Sequence, residues 1–184
     1  MTVARSSRIL RTSTLIIIVV VLCPFAYGKI IYVDDDANGN DGSSWASAYI
    51  YLQDALADAN DSDKPVEIRV AQGIYRPNQG LMAIPEFDWR ATTFQLINGV
   101  TLKGGYAGFG ESDPNAYDIE IYETILSGDL NGDDIEVADP CDLSTEPTRV
   151  ENSRHVVIGL SGVGVCKIST TAMLQLPTAH SAAT

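Results

Sequence analysis

Two short acidic stretches carry oxygen ligands at alternate positions. Asp129-x-Asn131-x-Asp133 sets three side-chain oxygens along a loop, and Asp34-x-Asp36-x-Asn38-Gly39 repeats the spacing. Calcium is held by just such sets of carboxylate and amide oxygens, so both stretches are candidate calcium loops. Neither carries an acid at the twelfth position, where Pro140 and Trp45 stand. The competing reading is a pair of Asx-rich turns whose side chains bond their own backbone.

Other chemistry is sparse. The histidines are His155 and His180, and His155 reads as an outward strand residue rather than a base. The adjacent acids Asp34-Asp35-Asp36 and Asp133-Asp134 fall in turns, not at matching positions of neighbouring strands. Gly104, Gly105, Gly108 and Gly110 precede no helical pattern, so they read as tight turns rather than a phosphate cradle. We assign no catalytic residue.

The elements that must position these groups are short. Lys29–Val33 is a β-type run ended by an Asp-, Asn- and Gly-rich turn. Ser47 is placed to cap a helix over 48–60, in which Leu52, Ala55, Leu56 and Ala59 form one apolar stripe. Trp45, just before it, reads as a core anchor. Val66–Val70 alternates as a half-buried strand, with Val66, Ile68 and Val70 inward. Residues 73–80 read as a loop. Further strands are expected near 95, 101, 125 and 157, the second of them ended by Gly104-Gly105. Periodicity alone leaves two arrangements open: antiparallel hairpins through links such as Asn98-Gly99, or the rungs of a parallel solenoid.

Charge divides the chain. Its 184 residues suffice for one domain, and the net charge of −12 excludes a simple nucleic-acid-binding domain. Arg5, Arg8 and Arg11 precede the apolar run Leu15–Leu22, and Ala26 and Gly28 supply small residues for cleavage. Residues 1–28 thus read as a secretory signal, the only part expected to meet a membrane, and then only if uncleaved. Beyond it stand 24 acids against nine bases, a net of −15. All the acids precede residue 152, so 159–184 reads as an atypical tail, poorly ordered or from a shifted frame. Cys141 and Cys166 remain after signal removal and can pair in an oxidising compartment.

The stretch Ile31–Trp45 with the helix Leu52–Leu56 resembles the opening of secreted right-handed parallel β-helix proteins of the pectin-lyase-like fold. Val66–Tyr75, Gly99–Gly110, Thr124–Asp129 and Asn152–Val157 are similar to their first rungs. The resemblance covers about residues 30–158. It implies a mainly β chain, with a capping helix and about three coils of a solenoid, bacterial in style. It also implies that the Leu52/Leu56 stripe is a lid over the first coil. Some members cleave acidic polysaccharides with stacked Asp, Arg or calcium in central coils, which this chain does not reach. The expected role is therefore a structural, adhesive or glycan-binding one at the cell surface, toward extracellular polysaccharide or surface material. The alternatives are the leading part of an extracellular polysaccharide lyase or hydrolase, and a small calcium-stabilised secreted module.

Overall fold

The computed structural model describes residues 28–39, 41–80, 87–159 and the strand pair 168–169. The signal segment 1–27, His180, Cys166 and most of the acid-free tail lie outside them. The described residues form short parallel strands in small sheets, with one α-helix. Among them no helix is long and apolar enough to cross a membrane.

In chain order the elements are β1 (Lys29–Val33), α1 (Leu52–Asp61), β2 (Val66–Ala71), β3 (Gly73–Tyr75), β4 (Phe94–Leu96), β5 (Val100–Tyr106), β6 (Thr124–Leu126), β7 (Val157–Gly159) and β8 (Ile168–Ser169). One sheet has the order β1-β2-β5-β8; β3 pairs with β6, and β4 with β7. Every one of these pairings is parallel. The antiparallel alternative is thereby excluded for these strands. Asn98-Gly99 does not close a hairpin, because β4 and β5 belong to different sheets. From β2 onward the chain visits the three sheets in a repeating order.

The core follows from alternation. Ile31 lies beside Ile68, and Ile68 beside Leu102, so one apolar row crosses the sheet on its inner face. Val66 and Val100 form a second row, and Tyr75, Phe94 and Leu126 arrive from the two smaller sheets. Helix α1 lays Leu52, Ala55, Leu56 and Ala59 onto this cluster, the stripe read from their spacing.

The helix begins with its apolar stripe, four residues later than the span 48–60 expected from a Ser47 cap. It starts at Leu52 after Tyr51, with no side-chain cap. Ser47 instead ends a 3-10 turn, Trp45–Ser47, and donates its own N–H to the Ser44 carbonyl and hydroxyl. The intervening chain has another task. Tyr32 N–H donates to Gly42 O, Asp34 N–H to Tyr49 O, and Tyr49 N–H to Tyr32 O. Residues 42–49 therefore satisfy the outer edge of β1, an edge that would otherwise invite foreign strands. At the other end, Lys64 Nζ bonds the Ala59, Asn60 and Ser62 carbonyls, groups a helix terminus leaves without partners.

Three boundaries differ from expectation. Residues 73–75 form β3 rather than loop, a run too short to show a period. Strand β5 continues through Gly104-Gly105 to Tyr106, because the β2–β5 register shifts there and Gly105 takes φ +92 at the irregularity. The strand expected from His155 starts at Val157, and it is not the last, since β8 follows it beside β5. Ser153 is held first, its hydroxyl donating to Thr92 O and its N–H to Gly128 O, which leaves His155 exposed before the strand.

Trp45 is buried, as read. Its ring meets Tyr32 edge-on at 4.8 Å and Tyr106 at 5.6 Å, and Nε1 donates to Asn115 Oδ1 at 3.0 Å.

Candidate functional site

The Asp34 turn is built around a buried carboxylate. Asp34 is 2% exposed; Oδ1 accepts the Asp36 N–H at 3.0 Å, and Oδ2 accepts the Phe109 N–H in a short bond. Both oxygens thus hold backbone, and the second ties the turn after β1 to the Gly108–Phe109 turn beyond β5. Asp35 and Asp36 bring one oxygen each to within 4.8 Å of an Asp34 oxygen and of each other, but both are exposed, as is Asn38.

Burial raises the Asp34 carboxyl above its ordinary range, against the lowering effect of the two N–H bonds. Asp35, though exposed as a residue, is raised too, by partial desolvation of its carboxyl and then by the Asp36 charge. A raised acid binds its proton more tightly in the folded state than in the unfolded chain. Stability from this source therefore falls as pH rises from the ordinary carboxylate value through the raised one. We expect Asp34→Asn to flatten this fall. Melting temperatures of both proteins between pH 3.5 and 6.5, a range set by roughly the carboxylate window, check it. Parallel profiles would exclude the assignment.

The Asp129 loop differs. Asp129 Oδ1 accepts N–H groups from Gly132 (2.6 Å) and Asp133 (3.2 Å), and Oδ2 accepts that of Asp134 (3.2 Å). This is the Asx-type turn. The same carboxylate also meets Asp133 and Glu151, with one oxygen of each residue within 4.8 Å of the others. Asn131 is exposed in the loop. Spacing missed Glu151, 22 positions beyond Asp129. No local pattern carries it: the Ser153 N–H bond to Gly128 O, at 2.8 Å, brings the two segments together. The Glu151 carboxyl is raised, first by burial and then by the charges of Asp133, Asp129 and Asp134.

Arginines support this loop from its flanks. Arg76 Nε donates to Asp129 O, and its guanidinium lies so close to Gly132 that a Cβ there would meet Nη2 at 2.5 Å. Arg149 Nη1 lies 3.3 Å from Asp134 Oδ2, which also accepts Asn152 Nδ2 at 2.9 Å.

A second surface is cationic and aromatic. On the outer face of the four-stranded sheet, Tyr32, Arg69 and Lys103 occupy one register row. Arg69 lies over the Tyr32 and Tyr106 rings, and Lys103 over Tyr106 and, at 4.4 Å, Tyr117. Arg69 also pairs with Glu67 at 2.6 Å. The neighbouring outward row is Ile30, Glu67 and Thr101, so the two rows hold a single carboxylate. An open groove of about 570 Å³ separates α1 from the turn after β4, lined by the amides of Gln53, Asn60, Gln95 and Asn98 together with Leu56 and Ile97. It contains no charged or nucleophilic side chain.

Cys141 is exposed in the turn Pro140–Ser144, and its expected partner Cys166 lies outside the described residues. Comparison with protein families, with curated proteins and with solved structures returned no match.

Proposed function

We propose that this chain is the N-terminal cap and first coils of a right-handed parallel β-helix, exported to the cell surface, where it binds extracellular polysaccharide. The observation that carries the architecture is the order in which strands visit the sheets: β2, β3, β4, then β5, β6, β7, then β8 beside β5. A chain that returns parallel to itself after three changes of direction is winding in coils. Residues 42–49 and α1 then serve as the first coil's cap, one on its edge and one on its core.

The binding reading rests on the row Tyr32, Arg69 and Lys103. In a chain of net charge −12, this face offers two cations and several tyrosine rings side by side. Aromatic faces stack on sugar rings, and the cations fit carboxylated or sulfated sugars. The test is affinity electrophoresis of the full chain through gels containing neutral or uronate polysaccharide. Retardation by the uronate gel is expected, weakened about fivefold or more by Arg69→Ala with Lys103→Ala, a loss of roughly 1 kcal/mol. Free migration of the unaltered chain in every gel would refute the binding role and leave the coil architecture standing.

A further inference from the structure

We propose that Asn60 carries an asparagine-linked glycan whose first sugar lies in the groove between α1 and the turn after β4. The inference rests on the export proposed above, since only an exported chain meets the enzymes that attach such sugars. Asn60-Asp61-Ser62 has the acceptor form Asn-x-Ser, and no other asparagine of the chain has Ser or Thr two positions on. Asp58 stands two positions before Asn60, completing the stricter acid-x-Asn-x-Ser form that bacterial transferases select. A sequence match alone would carry little weight.

The second observation is where the side chain stands. Asn60 is exposed on the last turn of α1, and it lines the open groove of about 570 Å³. Its Nδ2 donates to Asp61 Oδ1 at 3.2 Å, which uses one of the two amide hydrogens. Replacing the other by a sugar leaves a hydrogen for that bond. The groove suits what would be attached there. Leu56, Leu96 and Ile97 give it apolar surface, while the Gln95 and Asn98 amides are exposed and have no side-chain hydrogen-bond partner among the described residues. Gln53 is committed elsewhere, Nε2 donating to Pro77 O and Thr93 O. A 2-acetamido sugar matches this uncharged lining: its methyl and ring face meet the apolar surface, and its amide and hydroxyls meet Gln95 and Asn98.

Transfer precedes folding. The Ser62 hydroxyl, which the transferase must engage, donates to Asp58 O at 2.7 Å in the folded chain, and Lys64 Nζ holds the Asn60 carbonyl. The acceptor segment is therefore open before the last turn of α1 forms. The wall with Gln95 and Asn98 lies downstream of Asn60, so the sugar is in place when the groove closes around it. In the transfer, Asn60 Nδ2 bonds to C1 of the sugar and the C1–O bond to a polyprenyl pyrophosphate breaks. The amide releases one proton, and the lipid pyrophosphate leaves.

The test is the full chain with its own leader, made in a bacterial host with and without an asparagine-linked transferase. Intact mass and the mass of the peptide containing Asn60 are the first readouts. The chain is expected to lack residues 1–28 and to carry glycan at Asn60, lost in Asn60→Gln and Ser62→Ala and kept in Ser62→Thr. The glycosylated form should melt about 2 °C or more above the bare one. Gln95→Ala with Asn98→Ala should cancel this difference while leaving the glycan attached. An exported chain bare at Asn60, or a glycan that survives Ser62→Ala, overturns the site and leaves export standing. A chain that keeps its leader overturns the export reading and the site with it. A melting difference unchanged by the double variant overturns the seating in the groove.

Discussion

Phe94→Ala is expected to remove about 3–5 kcal/mol of stability, a large fraction of the roughly 5–15 kcal/mol that holds a domain folded. Phe94 is wholly buried where β4 meets the core, and its N–H is committed to Val156 O at 2.8 Å. The loss combines the transfer free energy of the ring with the cavity left in the core cluster that it shares with Leu52, Leu56 and Leu126. Urea unfolding measures it. Ile121→Ala is the reference: that side chain is 67% exposed, and its truncation should change stability by less than about 0.5 kcal/mol. Equal losses in the two variants would mean the core is not where the structure has it.

Gly108→Ala should be nearly as severe, for a different reason. Gly108 adopts φ +88, and a Cβ there would collide with Asp34 Oδ2 and come within 2.5 Å of Ala71 Cβ. Left-handed backbone costs an L-residue roughly 1–2 kcal/mol. Forcing an extra carbon into packed surroundings adds roughly 1–3 kcal/mol. Asp34 cannot step aside, because its oxygens hold the Phe109 and Asp36 amides. Gly110 has nearly the same backbone, φ +89, with nothing within 4 Å of a built Cβ. Gly110→Ala should therefore show the backbone part alone. Denaturant midpoints of the two variants separate strain from collision, and no difference between them would remove Asp34 as the obstacle.

What the sequence made legible follows the reach of its patterns. Val66–Val70 and the stripe of α1 were readable because their apolar positions recur at the period of the element. β3 was not, since three residues contain no period; only its pairing with β6 and the burial of Tyr75 define it. The extension of β5 through two glycines was hidden for a related reason. Gly-Gly reads as a stop when seen alone, and its continuation depends on a neighbouring strand whose register shifts. Local spacing also found the Asp129 loop without its full company. Asp129 and Asp133 are four apart and visible together, whereas Glu151 joins them through a backbone bond made elsewhere in the chain. His155 was read as an outward residue and is exposed, though outside the strand expected to carry it.

The parallel pairing of every strand has a consequence for how the chain reaches its structure. Val66 meets Val100, Gly73 meets Thr124, Phe94 meets Val157 and Leu102 meets Ile168, so apart from β1, which meets β2 across 32 intervening residues, no strand pairs with the next one in sequence. Each contact must wait for dozens of intervening residues to be brought round, and their loss of freedom comes before any reward from the contact. Such a contact order places the chain among slow folders, and the search time exposes β edges to other molecules. The numerous carboxylates outside the core then acquire a kinetic meaning. Mutual repulsion keeps half-formed chains apart during the interval in which their strands have not yet found one another.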